Sequence, residues 1–124
     1  MNQEKFNQAV EDMKKYVGVL EVFLLNSEGK VVYKYGDVDF TDQEGIKLLK
    51  AWKEKEPSLK YQNVRYAVLK NDDIQLAAKN VAGGKGNIAG SISKEGDYLF
   101  AHIAEETDLI LLEWSILINK IAWS

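Results

Sequence analysis

The segment from Tyr98 to Ile103 places the strongest constraint on the fold, because apolar side chains occupy both of its alternating sets. One set is Leu99, Ala101 and Ile103, and the other is Tyr98, Phe100 and His102. Successive side chains of a strand point to opposite faces of its sheet. A strand that is apolar on both faces needs cover on both. The sequence therefore predicts an antiparallel sheet with helices on each face.

Short segments rich in β-branched and aromatic residues predict the other strands of this sheet. Two of them flank a turn of Asn26, Ser27, Glu28 and Gly29 and form a predicted hairpin. The predicted strands are Val19 to Leu25, Lys30 to Tyr35, Val64 to Lys70, Ile74 to Asn80, Ile88 to Ser93 and Tyr98 to Ala104. We expect a sheet of six or seven strands.

Three segments have helical periodicity. Apolar residues recur at spacings of three and four over residues 3 to 16, and Gly18 would end that helix. Thr41 and Glu44 have the spacing of a capping box at the start of a second helix, which Pro57 would end. The third helix is predicted from Leu109 to Trp123.

The last helix is more apolar than one buried face requires, since eleven of its fifteen residues are apolar. If Leu109, Leu112, Ile116 and Trp123 pack on the sheet, then Ile110, Trp114, Ile118 and Ile121 must contact another element. The N-terminal helix is the obvious candidate, and the alternative is that part of this surface binds a partner. The chain of 124 residues contains no linker or repeat. We expect a single α+β domain over residues 1–124, with the terminal helices on one face and the middle helix on the other.

Composition excludes several classes of function. The net charge is −3 with no block of Lys and Arg, which argues against nucleic-acid binding. There is no Cys for a disulfide or a thiolate. The apolar C-terminal stretch is interrupted by polar residues and is too short for a membrane span, and the first residues are too charged for a secretory signal. We expect a cytoplasmic protein.

No motif predicts catalysis, a metal or a cofactor. In Gly83 to Asn87 a Gly follows the lysine where a phosphate-binding loop needs Ser or Thr. The acidic residues from Asp37 to Glu44 lack the glycine and the twelfth-position glutamate of a calcium loop. His102 is the one histidine and lies within a strand, where packing is the expected role.

Several stretches in their order resemble the profilins, from about Val19 to the end of the chain. LEVFLLNSEGKVVYKYGDVDF (Leu20 to Phe40) is similar to the first profilin hairpin and the phenylalanine after it. VRYAVLKNDDIQLAAKN (Val64 to Asn80) and GGKGNIAGSISKEGDYLFAHIAEE (Gly83 to Glu106) are similar to the later strands with their lysine-glycine turn. Between them, the middle helix of the profilins is matched by Glu44, Ile46, Leu49, Trp52 and Pro57.

The resemblance implies an actin-monomer-binding protein that regulates actin polymerisation, with no enzymatic activity and no cofactor. Profilins bind actin through these later strands and the start of the last helix. Carried over by position, the candidate actin-binding residues are Val68, Lys70, Lys79, Lys85, Asp108 and Leu111. Lysines would steer an acidic partner, and Val68 with its apolar neighbours would supply contact area. The implied protein is a monomer associated with the cytoskeleton.

Two further ligands are implied by the resemblance. Phosphoinositides are one of them, and the sequence leaves open whether they compete for the lysines. Proline-rich segments lie on aromatic rings between the terminal helices of profilins, and here Phe6, Val32 and Trp123 stand at the matching positions. Val32 replaces a tryptophan, so we expect proline-rich binding to be weak, altered or absent. A short chain with this change resembles the archaeal profilins.

Two other classes share the same order of elements. A roadblock-type domain would be a homodimeric scaffold or regulator of small GTPases and would expose an apolar stripe on Ile46, Leu49 and Trp52. A PAS-like sensor would enclose an apolar pocket.

Overall fold

The structure is a computed structural model that describes residues 1–124. The elements are α1 (Gln3–Met13), β1 (Val19–Leu25), β2 (Val31–Tyr35), α2 (Asp42–Lys53), β3 (Ser58–Tyr61), β4 (Val64–Asn71), β5 (Gln75–Lys79), β6 (Asn87–Ile92), β7 (Tyr98–Ile103) and α3 (Leu111–Ala122). All seven strands form one antiparallel sheet in the order β2-β1-β7-β6-β5-β4-β3. No helix combines the length and the apolar character that crossing a membrane requires.

Helices cover the sheet on both faces, which confirms the predicted architecture. On one face α1 and α3 enclose a cluster that includes Val22, Leu99 and Trp114, and we call this the terminal-helix face. On the other face α2 covers a cluster that includes Phe23, Leu48 and Phe100, which we call the middle-helix face. The alternation in β7 sends Leu99 to the first cluster and Phe100 to the second, as the sequence pattern predicts.

Several boundaries differ from the predictions for local reasons. Helix α1 ends at Met13, because the chain turns after Lys14 and the Val17 amide donates to the Asp108 carboxylate at 2.8 Å. Strand β5 begins at Gln75, since the Asp72 carboxylate accepts from the amides of Ile74 and Gln75. Helix α3 begins at Leu111, two residues later than expected. The seventh strand is β3, which is only four residues long and lies at the sheet edge.

The side of α3 that packs on the sheet differs from the expected one. Trp114, Ile118 and Ile121 are buried in one cluster with α1 and the sheet, which confirms their expected contact with the N-terminal helix, and Leu109 packs against the same cluster while Ile110 is exposed. Leu112, Ile116 and Trp123 are exposed instead. Ser115 and Ala122 supply the small side chains that allow the helix to approach the sheet on the buried side. The flank that was expected to pack on the sheet is therefore open to a partner.

Candidate protein-binding site

Helix α3 packs on β5 and β6, and the strand beside them, β4, has an exposed side chain at Leu69 on the same face. Leu69 is 60% exposed and lines an open cleft of about 410 Å³ together with Lys79, Asp108 and Leu111. Since Leu111 begins α3 and Lys79 ends β5, the cleft joins the helix start to the two strands. It is the natural centre of a docking surface.

A β-bulge at Leu69 decides which side chains of β4 reach this face. Val68 pairs with Ala78, but Lys70 pairs with Ala77, so Leu69 is the extra residue. Without the bulge, strict alternation would place the Lys70 side chain on the middle-helix face, together with Tyr66 and Val68. With it, the Lys70 ammonium lies 3.0 Å from Gln75 Oε1, and the Ser115 hydroxyl of α3 lies 3.4 Å from that same oxygen. The bulge therefore places Lys70 on the terminal-helix face.

The exposed flank of α3 continues this surface. Leu112 and Ile116 lie on the same side of α3 as Ser115, because residues three or four apart share a helix face. The Ser115 hydroxyl contacts Gln75 of β5, so this side borders β5. Ile116 is 55% exposed. We call the combined area the β4–β5 surface, defined by Arg65, Leu69, Lys70, Lys79, Leu111, Leu112 and Ile116.

The charge of the β4–β5 surface is mostly uncompensated. The side chains of Arg65 and Lys79 make no hydrogen bond or ion pair within the protein. Lys70 lies 3.9 Å from the Asp72 carboxylate, whose pKa is lowered by backbone hydrogen bonds from Gln75 and Ile74 and then by the lysine. Asp108 lines the cleft but its carboxylate already accepts from the Val17 amide. The surface thus presents two unpaired cations, Arg65 and Lys79, and its cleft also carries the carboxylates of Glu105 and Asp108 beside the apolar side chains.

Lys85 lies in the connection between β5 and β6, residues 80–86, which we call the Lys85 loop. The Glu105 carboxylate accepts from the amides of Gly84 and Gly86 at 3.1 and 3.2 Å and ties the loop to the end of β7. Glu105 also lines the cleft with Lys79. The ammonium of Lys85 has no partner within the protein, so the loop adds one more free cation beside the β4–β5 surface.

The loop is also held from the middle-helix face by a polar cluster that we call the His102 cluster: Glu21, Tyr61, Tyr66, His102 and the Lys85 carbonyl. The Tyr66 hydroxyl donates to that carbonyl at 2.9 Å, and the Tyr61 hydroxyl donates to Glu21 at 2.6 Å. Burial, followed by the nearby Glu21 charge, raises the pKa of Tyr66 to about 12. Burial and the Glu21 hydrogen bond raise the pKa of Tyr61 well above its usual value. Both phenols therefore stay neutral donors.

The six residues predicted to bind actin do not all share one face. Lys70, Lys79, Asp108 and Leu111 lie on the β4–β5 surface or its cleft, and Lys85 lies in the loop that is tied to Glu105, another residue lining the cleft. The Val68 side chain points to the middle-helix face, whereas Lys79 of β5 points to the terminal-helix face. Val68 is therefore half-buried against the middle-helix cluster. Leu69 occupies the position where Val68 was expected to add apolar area. Arg65 and Leu69 were not among the candidates, although their alternation with Tyr66 and Val68 indicates their face.

The three residues at the proline-rich positions are separated in the structure. Phe6 is buried in α1, with its ring centroid 5.6 Å from that of Tyr33. Val32 is exposed on the edge strand β2. Trp123 lies beyond the end of α3, where its indole Nε1 donates to the Ile92 carbonyl at 2.8 Å. No ladder of aromatic rings joins them. The expectation of weak, altered or absent proline-rich binding stays a prediction.

The features that would favour the two other classes are missing. Leu49 and Trp52 are each only 3% exposed, so α2 carries no apolar stripe for a roadblock-type dimer beyond Ile46. The five main clefts lie on the protein surface, and none is the enclosed apolar pocket of a PAS-like sensor.

Known proteins resemble the chain in sequence and in fold. Loki profilin-3 of Lokiarchaeum sp. (strain GC14_75) is 59% identical over 124 residues, which is the full length of both chains. The structure of a LokiProfilin1/rabbit actin complex matches with a TM-score of 0.80 at 15% identity, over 98% of this chain and 93% of that one.

Two more structures extend the likeness. A LokiProfilin2/rabbit actin complex matches with a TM-score of 0.81 at 14% identity, over 98% of this chain and 95% of that one. Schizosaccharomyces pombe profilin matches with a TM-score of 0.73 at 13% identity, over 97% and 92%. At these identities the three structures establish a shared fold. No family model matches the sequence.

Proposed function

The chain belongs to the profilin family, and from this premise we propose that it binds monomeric actin or an actin-like protein and so regulates polymerisation. The observation that carries the proposal is the β4–β5 surface, where the exposed Leu69 and the open flank of α3 lie with Lys79, which has no partner within the protein. Two of the similar structures are complexes of profilins with rabbit actin, which supports actin as the class of partner.

The β4–β5 surface has the composition that a reversible protein interface needs. Apolar side chains supply the contact area at its centre, and Arg65, Lys79 and Lys85 supply charges that attract an acidic partner. A contact of standard size buries about 1,600 Å² in total. The proposed activity is binding alone, without bond chemistry, and it places the protein with the cytoskeleton in the cytoplasm.

The test is the binding of actin monomers to the wild type and to a Lys79→Glu/Lys85→Glu double variant, measured by light scattering after size exclusion and by titration. Reversing two charges beside the apolar centre should weaken binding by about tenfold or more, or ~1.4 kcal/mol. The matched control is Lys47→Glu/Lys60→Glu, which makes the same change of charge on exposed lysines of α2 and β3.

A Leu69→Glu variant probes the apolar centre of the same surface, and Ile46→Glu, on the exposed side of α2, is its control. We expect Leu69→Glu to weaken actin binding strongly and Ile46→Glu to leave it unchanged. A wild type that binds no actin, or surface variants that bind as well as their controls, would contradict the proposal.

A further inference from the structure

The Lys85 carbonyl receives two hydrogen-bond donors from the His102 cluster. The Tyr66 hydroxyl donates to it at 2.9 Å, and His102 Nε2 lies 2.7 Å from it. A carbonyl oxygen only accepts, so the ring nitrogen must carry a proton to make a favourable contact at this distance. These two donors hold the backbone of Lys85, from which its charged side chain extends. The backbone position of Lys85 therefore depends on the His102 ring.

The other nitrogen of the ring also faces an acceptor. His102 Nδ1 lies 2.8 Å from Glu21 Oε1, and that oxygen already accepts from the Tyr61 hydroxyl at 2.6 Å. Only the doubly protonated imidazolium has an N–H at both nitrogens. The observed geometry thus suits a His102 cation that bridges the Glu21 carboxylate and the Lys85 carbonyl.

A neutral ring has no equally good arrangement in this site. When the ring loses one proton to solvent, the remaining proton stays on Nδ1, because the Glu21 carboxylate is a stronger hydrogen-bond acceptor than the Lys85 carbonyl. The lone pair of Nε2 then faces the Lys85 oxygen at 2.7 Å, which is repulsive. The Tyr66 hydroxyl lies 3.3 Å from Nε2 and can turn to donate there. The Lys85 carbonyl then loses one donor or both.

We propose that His102 is a positioning residue whose second proton holds Lys85 in place, so that the Lys85 loop is ordered when the ring is charged and loosened when it is neutral. The effect on the loop is a property of this chain alone. Its consequence for actin rests on the proposed function, because Lys85 is one of the cations beside the β4–β5 surface.

The carboxylates near the His102 cluster favour the charged ring. Glu21 of β1 contacts it, and Glu44 of α2 and Glu105 after β7 add negative charge around Tyr61 and Tyr66. Both phenols stay protonated through the neutral range, since their pKa values are raised. The contact holds when both ring nitrogens carry a proton and is lost when the ring gives one up.

The first experiment follows the wild-type protein by NMR from about pH 5.5 to about pH 8, the range in which histidines commonly titrate. The chain has one histidine, so its ring signals need no separation from others. The amide signals of Lys85 and Gly86 should follow the same titration curve as the ring. Hydrogen exchange at Gly84 and Gly86, whose amides donate to Glu105, should be about three- to tenfold faster, after correction for intrinsic rates, when the ring is neutral, the factor that one net hydrogen bond is worth.

A His102→Gln variant provides the matched control, because glutamine keeps an N–H donor and does not titrate. Its loop amides should show no pH step in this range. A Tyr66→Phe variant should have a looser loop at every pH and still show the step. Loop amides that ignore the ring in the wild type, or a ring that stays neutral down to about pH 5.5, would overturn the inference.

Actin binding at the two ends of the pH range supplies the second readout. Wild-type affinity should fall by about three- to tenfold more than that of His102→Gln with the same actin, so that any pH dependence of actin itself cancels. Equal pH profiles alongside a titrating loop would overturn the link to actin and leave the loop effect standing. Absence of actin binding at every pH would count against the proposed function, while the NMR result would still decide the role of His102.

Discussion

Gly86 ends the Lys85 loop in a conformation that other residues rarely adopt. Its φ is +78°, and a Cβ at this position would meet the Ile103 carbonyl oxygen. Gly83, three residues earlier, has a similar φ of +84° but has no atom near the position of a Cβ. The two glycines therefore separate the cost of the backbone conformation from the cost of a steric clash.

We expect Gly86→Ala to lower the free energy of unfolding by about 1–3 kcal/mol more than Gly83→Ala. Both substitutions bear the penalty of a left-handed backbone, about 1–2 kcal/mol, but only Gly86→Ala forces the loop away from β7. Urea denaturation of the two variants measures the difference. Equal losses would show that the close contact at Gly86 is relieved without cost.

Single residues could be predicted only where the chain alternates regularly. In β5 the alternation is regular, and Lys79 leaves the core on the terminal-helix face. Lys70 could not be placed, because the bulge at Leu69 depends on pairing with β5. The partners of His102 could not be found either, since Glu21 lies 81 residues away in the chain. Bulges and buried polar contacts depend on tertiary neighbours.

Elements with local signals were predicted well. The capping box at the start of α2 is present: the Glu44 amide donates to Thr41 Oγ1 at 3.2 Å, and the Thr41 amide donates to the Glu44 carboxylate at 3.0 Å. The strand β3 was missed because its four residues carry little pattern and its pairing with β4 defines it. The side of α3 that packs on the sheet was predicted wrongly, because a helix that is apolar all round does not indicate which side is buried.

We expect Thr41→Ala to destabilise the protein by about 1 kcal/mol, the usual loss when an N-cap oxygen is removed. Thr41→Ser keeps the hydroxyl and should retain most of the stability. Thermal unfolding followed by circular dichroism compares the two variants. If alanine and serine had the same effect, the cap would contribute nothing and α2 would be held by packing alone.

At the scale of the molecule, the sheet separates two apolar clusters of similar size. Each contains 14 buried residues, one under α1 and α3 and the other under α2. This arrangement was predictable from one strand, because the double alternation of Tyr98–Ile103 requires cover on both faces. The sequence could not show which flank of α3 stays exposed, because this depends on where the helix packs on β5 and β6.

We expect the protein to be a monomer, because the middle helix buries Leu49 and Trp52 instead of presenting them to a second copy. Size exclusion with light scattering over a range of concentrations measures this. A stable dimer would contradict the prediction. If such a dimer dissociated on Ile46→Asp, the middle helix would be its contact; dissociation on Leu69→Asp would indicate the β4–β5 surface instead.

The position of β1 between β2 and β7 has a consequence for biosynthesis. A ribosome makes β1 early, but the strand needs its neighbour β7, which follows some seventy residues later in the chain, to fill the centre of the sheet. The cluster beneath α1 likewise needs α3, which follows β7 in the chain. The nascent chain therefore cannot complete either layer before β7 has left the exit tunnel, and the layer beneath α1 also needs α3. Folding should be a late event in which elements far apart in the chain complete the structure together.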